Sequence, residues 1–268
     1  FTHFTGREMK ISDFICSPLG WNESLPFYLR DNFLLSQNIN SVDDVCVVDP
    51  GSKIMGIDYL VPKFLDEMEK VDWEKMGLTF CDKKEFSSSE YERLLSKIES
   101  LLYFSKNMHS SIKAFAINFH PLLSECEDFD VSFSDPCIPF DVFTNVPKYE
   151  EKYAAERFVE GIIHETLHLQ LTAMEHLLPL FHDTLLTDNV FSPWKGEGRN
   201  ERGLLHAVYV FSNIKNFWLK VHAQSNHIND FAVKRINEIQ KELSTAGHIL
   251  KSDALTPEGR MLACLCLL

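Results

Sequence analysis

His164-Glu165-Thr166-Leu167-His168 groups the residues of this chain best suited to chemistry. Two imidazoles four positions apart share one helix face, about 6 Å from each other, close enough to grip one metal ion. A glutamate beside the first histidine is the usual partner of a metal-bound water, which makes Glu165 the candidate catalytic residue. Ile162 and Ile163 just before the motif are apolar, as a buried site requires. The competing reading is a pair of satisfied core histidines, since such matches also arise in helices by chance.

A third ligand decides the class of chemistry. The extended metzincin pattern continues with a glycine and then a histidine, where this chain has Leu171 and Met174. A thermolysin-type site uses a downstream glutamate. Glu175 lies about 10 Å along the helix from His168, too far to share an ion. Glu197 and Glu201 reach it only if the intervening loop folds back. His206, in Arg202-Gly203-Leu204-Leu205-His206-Ala207-Val208-Tyr209, is the better third ligand, because the stretch between allows the chain to reverse and pair the two helices. Three neutral histidines leave a divalent ion its full charge and open positions. Zinc could hold a water there and hydrolyse an amide, with Glu165 as base. Iron(II) could instead take a bidentate cosubstrate and dioxygen. A 2-oxoglutarate cosubstrate also needs a cation for its distal carboxylate, and arginine offers a bidentate fork. Arg199, Arg202 and Arg260 are the candidates.

These residues need helices to position them. From about 150 to 178 the pattern is helical, with Gly161 the one interruption, costing about 1 kcal/mol relative to alanine. Its missing side chain leaves room for a neighbouring segment or ligand. Pro179 ends this helix. Residues 183–200 read as a loop, then helices run over about 201–223 and 228–244, with Thr256-Pro257 opening a last one. Upstream, Ser87 to Glu90 offers a capping box for a helix carrying Tyr91, Leu94, Leu95, Ile98 and Leu102. Ile57, Leu60, Val61, Phe64, Leu65 and Met68 stand at helical spacing, with Gly77 closing that region. Strands are expected at 44–50, 112–119, 131–133 and 141–146, the last three forming a small antiparallel sheet. The expected class is α+β: mainly α with a small antiparallel β region, the metal-binding helix packed on the helix carrying His206. One domain spans 1–268, with a mixed half over 1–146 and a helical metal-binding half over 147–268.

Composition bounds the partners. The net charge of −13 argues against a general nucleic-acid surface and is compatible with a basic peptide. Seven scattered cysteines, odd in number and without Cys-x-x-Cys spacing, read as reduced thiols of a cytoplasmic protein. No apolar run of about 18 residues and no signal peptide is seen, so no membrane partner is expected. A homodimer is compatible with the sequence.

Gly161 to His168, then Ser192-Pro193-Trp194-Lys195, then Arg202 to Tyr209 resemble the HExxH-domain proteins associated with ribosomally made peptide natural products. The resemblance is clearest over residues 155–215. It implies an iron(II)/2-oxoglutarate-dependent dioxygenase that hydroxylates the β-carbon of a residue in a ribosomally synthesised precursor peptide. His164, His168 and His206 would be its metal ligands, and the Ser-Pro-Trp segment the loop leading to the third. The role of Glu165 then changes from base to one of orientation or substrate contact.

Overall fold

The computed structural model describes residues 23–45, 57–124, 130–188, 190–224 and 230–268. In chain order the helices are α1 (Leu25–Ser36), α2 (Glu67–Glu74), α3 (Ser88–Leu102), α4 (Lys106–Phe115), α5 (Ala154–Leu177), α6 (Glu201–Gln224), α7 (Asp230–Ala246) and α8 (Pro257–Leu267). The strands are β1 (Val61–Pro62), β2 (Asn118–Leu122), β3 (Ser132–Ser134), β4 (Asp141–Asn145), β5 (Val190–Ser192) and β6 (Glu197–Arg199). The class is α+β, mainly helical with a small sheet.

Helix α5 is the axis of the fold. Its apolar residues Phe158, Val159, Ile162, Ile163, Leu167 and Leu171 are buried against α1, α3, α4, α6 and strands β3 and β4. Burying each such side chain contributes on the order of 1.5–3 kcal/mol. Tyr153, in the left-handed region at φ +59°, starts the helix four residues later than the apolar pattern suggests. Gly161 has a packing reason. A Cβ there would lie 3.1 Å from Thr144 Oγ1 and 3.8 Å from Ser132 Cβ, so its absence lets the sheet sit directly on the helix.

Polar ties lock α5 to its neighbours. Glu160 Oε2 accepts from Trp218 Nε1 at 2.7 Å, and Glu160 Oε1 accepts from Arg235 Nε and Nη2 at 2.9 and 2.7 Å. Gln170 Nε2 donates to the Tyr209 hydroxyl at 2.8 Å. Together they hold α6 and α7 on one flank of the metal motif.

The sheet runs β1-β2-β4-β3. Its directions differ from expectation: β1–β2 and β2–β4 are parallel, and only β3–β4 is antiparallel. Parallel strands are covered on both faces, and every residue of β2 and β4 is buried. Phe119 packs towards Tyr91 and Phe158, while Phe143 on the opposite face joins Leu78, Phe80 and Trp73.

Other expectations shift for local reasons. Residues 112–115 end α4, which buries Met108, Ile112 and Phe115 at helical spacing, and the strand starts only at Asn118. Of the helix expected over 55–70, Val61–Pro62 is a short edge strand and the helix begins at Glu67, capped by Asp66. Gly77, at φ +87°, turns the chain after it. The expected 183–200 loop contains the β5–β6 hairpin. Val42–Asp44 is a 3-10 turn, and residues 46–50 of the strand expected there lie outside the described residues. Ser87 does cap α3 through Glu90 N, and Thr256 caps α8 through Gly259 N. Among the described residues, no helix is long and apolar enough to cross a membrane.

Candidate metal centre

Helices α5 and α6 bring His164, His168 and His206 together. His164 Nε2 stands 3.2 Å from His168 Nε2, and His168 Nδ1 stands 3.1 Å from His206 Nδ1. Nitrogens bound to one ion at ~2.1 Å lie ~3.0–3.4 Å apart, so the first pair has the separation of two ligands. His168 turns its other ring nitrogen to His206. As placed, His206 therefore meets the far edge of the His168 ring. Among the described residues, no three histidine, cysteine or acidic side chains converge on one point.

A carboxylate continues this row. His206 Nε2 lies 3.3 Å from Glu175 Oε2. A carboxylate only accepts, so a neutral His206 would carry its proton on Nε2 and offer the Nδ1 lone pair to His168. His168 then donates from Nδ1 and directs the lone pair of Nε2 at His164. Glu175, unable to share an ion with His168, thus sets the tautomer of both histidines beyond it. Burial, with His164, His206 and Arg199 adding to it, holds His168 well below the ordinary imidazole range, and a neutral ring is what a divalent ion needs. By nitrogen spacing and protonation, the pair His164–His168 fits a metal.

Glu165 is buried, and both its oxygens are engaged. Ser132 Oγ donates to Oε1 at 2.6 Å and Ser134 Oγ to Oε2 at 2.7 Å. Oε1 lies 4.0 Å from His164 Nε2. The two serines stand on one face of β3 because side chains two apart along a strand share a face. The Ser-Phe-Ser alternation over 132–134 was the signal for this clamp, but only the sheet puts it over Glu165.

The Ser192-Pro193-Trp194 segment forms the β5–β6 turn, closed by Lys195 N and Gly196 N donating to Ser192 O, with Gly196 at φ +69°. The turn stacks Trp194 on Phe211, centroids 4.9 Å apart, and Phe211 meets His164 edge-on at 5.2 Å. An aromatic wall thereby backs the first histidine.

The three arginines part company. Arg199, at the end of β6, lies over Gly203, where a Cβ would come within 2.6 Å of Nε and 2.7 Å of Nη2. Burial lowers its proton affinity, and its charge reaches His168. Among the described residues it has no carboxylate partner. Arg202 is paired, Nη2 to Asp183 Oδ1 at 2.5 Å and Nε to Glu175 Oε1 at 3.5 Å. Arg260 donates to the carbonyls of Leu250 and Ser252, closing the turn before α8. Glu201 is buried and accepts from Thr187 N at 3.1 Å, holding the loop before α6 rather than facing the histidines.

Two cavities flank the histidine row. One of ≈ 310 Å³ is lined by Ser132, Gly161, His164 and Phe211 and by Arg157 and Arg235 among others. The other, of ≈ 460 Å³, is lined by Pro136, Thr172, Glu175, His176, Asp183, Arg202 and His206. The chain has no match among protein-family models or among curated proteins.

Proposed function

We propose that this chain is an iron(II)/2-oxoglutarate-dependent oxygenase that hydroxylates the β-carbon of a residue in a ribosomally synthesised peptide. The observation that carries the reading is Arg199: a guanidinium seated over Gly203, partly withdrawn from water and, among the described residues, without a carboxylate partner, its charge adding to the burial that keeps His168 neutral. Burying a charge without its partner is costly, so such a group calls for an anion. A dicarboxylate cosubstrate bound at the metal supplies one.

His164 and His168 would hold iron through their Nε2 atoms, with His206 bonded behind His168 as the residue that orients its ring. Bound iron with 2-oxoglutarate supplies the oxidising chemistry, converting the keto acid and dioxygen to succinate, carbon dioxide and one oxygen atom for the substrate. The chain's own residues orient the site. Glu175 fixes the ring tautomers through His206. Trp194 and Phe211 back one side of His164. Ser132 and Ser134 keep Glu165 in place as an acceptor beside His164.

That clamp also weighs on the alternative, a zinc peptidase or amidase with Glu165 as base. Each oxygen of Glu165 already accepts one serine hydroxyl, so a water to be activated there has to compete for the carboxylate's remaining lone pairs. Cytoplasmic operation is part of the proposal and is supported by Cys81, Cys137, Cys264 and Cys266, all free thiols.

The test is anaerobic titration of the iron(II)-loaded protein with 2-oxoglutarate, followed by admission of oxygen and a candidate precursor peptide. Chelation of the keto acid gives a visible charge-transfer band, and turnover gives succinate with a +16 Da peptide, the mass of the one oxygen atom retained. Cleavage of peptide by the zinc-loaded protein, indifferent to 2-oxoglutarate, would establish the hydrolase instead.

A further inference from the structure

Among the described residues, strand β3 is the outer strand of its sheet. Asn145 N donates to Val131 O at 3.1 Å, and the register pairs Ser132 with Thr144, Phe133 with Phe143 and Ser134 with Val142. Bonded pairs alternate along an antiparallel ladder, so the Val131–Asn145 bond makes Phe133–Phe143 a bonded pair too. Ser132 and Ser134 then aim their backbone N–H and C=O groups away from β4, at an edge with which no described strand pairs. Both residues are half-buried, and their hydroxyls point down onto Glu165 of α5.

The edge joins the two cavities. Ser132 lines the one that contains His164, and Pro136, just past the strand, lines the one that contains His206. From Ser132 to Pro136 an extended chain covers about 13 Å, at ~3.3 Å per residue. Side-chain charges along this line are already matched within the protein. Arg157 bonds Asp130 and Glu151, Arg235 bonds Glu160 and Glu238, and Arg202 bonds Glu175 and Asp183. What the line leaves unmatched is backbone, and the complement of an exposed strand edge is another backbone.

We propose that the free edge of β3 takes an extended polypeptide segment as an added strand. The segment carries one residue over His164 and His168 and sends its neighbours' side chains into the two cavities. This rests on the reading of the substrate as a peptide. It adds the binding mode and a sequence rule: the paired positions need free amides, so proline is excluded from every second position near the modified residue, while side-chain identity there is loosely read. Affinity comes from main-chain bonds, and selectivity from the cavities. Contact with β3 also reaches the centre, because the same two serines hold Glu165.

The experiment uses the full chain, iron-loaded and kept anaerobic so that no turnover intervenes. The probes are linear dodecapeptides selected from a random display library, resynthesised with a single N-methyl group walked along each backbone. The expected result is a period of two: N-methylation at alternate positions weakens binding at least tenfold, and at the positions between changes it little. Ser134→Pro, which removes an outward N–H, weakens binding as much. Failure to select any peptide, or uniform tolerance of N-methylation, overturns the proposal. So does a concentration-dependent dimer abolished by Ser134→Pro, which would give the edge to a second copy of the chain. If Ser134→Pro does not fold, the N-methyl walk on the unaltered protein still decides. A peptide that binds with alternation but is never hydroxylated in air with 2-oxoglutarate sinks the oxygenase reading and leaves the strand addition standing. One that is hydroxylated yet indifferent to alternate N-methylation does the reverse.

Discussion

Replacing Gly203 by alanine drives a methyl group into the seat of Arg199 while leaving the arginine in the chain. The new Cβ would lie 2.6 Å from Nε, 2.7 Å from Nη2 and 2.9 Å from Cζ, all closer than real contacts allow. The guanidinium is the end of a flexible side chain, so it moves rather than the helix. Two effects of opposite sign follow. Alanine is worth up to about 1 kcal/mol over glycine in a helix, which for a chain of this size raises the melting temperature by up to about 2–4 °C. If Arg199 anchors the cosubstrate as proposed, displacing it forfeits charge-assisted hydrogen bonds, each worth about 1.5–3 kcal/mol. At about 1.4 kcal/mol per tenfold, 2-oxoglutarate affinity falls roughly 10- to 100-fold. The assay is anaerobic titration of the charge-transfer band for the unaltered protein, Gly203→Ala and Arg199→Ala, beside thermal unfolding of each. Expected is a pair of variants equally weak for 2-oxoglutarate, with Gly203→Ala as stable as the parent or more so. If both bind the keto acid as the parent does, Arg199 is not the carboxylate anchor and the argument for the cosubstrate loses its main support.

Three further outcomes are expected. Glu175→Ala removes the acceptor that sets the His206 and His168 tautomers and lowers metal affinity about 10- to 100-fold. Glu175→Gln, whose carbonyl still accepts, retains most of it, and equal metal content in all three proteins after dialysis would refute the relay. Ser132→Ala and Ser134→Ala each strip one donor from the buried Glu165 and destabilise the fold by about 1–3 kcal/mol, read from denaturant midpoints. Unaltered midpoints in both would mean that water replaces the clamp. Burial opposes ionisation of Asp141, but His120 and, behind it, Lys63 and Asn118 outweigh it and hold the carboxyl below its ordinary range. A depressed folded-state value means the stabilisation is present above the ordinary carboxylate range and is lost as pH falls through the lower folded value. Asp141→Asn therefore flattens the fall of stability below about pH 4. An unchanged acid limb would show that other carboxylates govern it.

Much of the scaffold was legible because helices announce themselves locally. The spacing of Tyr91, Leu94, Leu95, Ile98 and Leu102, the serine before them, and Thr256-Pro257 depend on contacts within a few residues, and the helices start where those signals lie. The sheet was harder to read. Val61–Pro62 becomes a strand by pairing in parallel with Asn118–Phe119, a partner far along the chain that leaves no local mark. Residues 112–115 carried both periods, and the helical one won because Met108, Ile112 and Phe115 all reach the core.

The same division holds at the candidate site. The sequence by itself determined that His164 and His168 share a helix face with Glu165 between them, because 3.6 residues per turn leaves no other choice. It also pointed to His206 on the facing helix. Only the tertiary structure decided what those residues do to one another. It made Glu175 the partner of His206 and laid β3 across Glu165. It set Arg199 over Gly203 with no carboxylate partner among the described residues, while tying Arg202 to Glu175 and Asp183, and Arg260 to the turn before α8. These are questions of which carboxylate, hydroxyl or carbonyl lies within 3 Å or so of a given atom. Spacing along a chain cannot answer them, because the groups that meet come from segments the fold alone brings together.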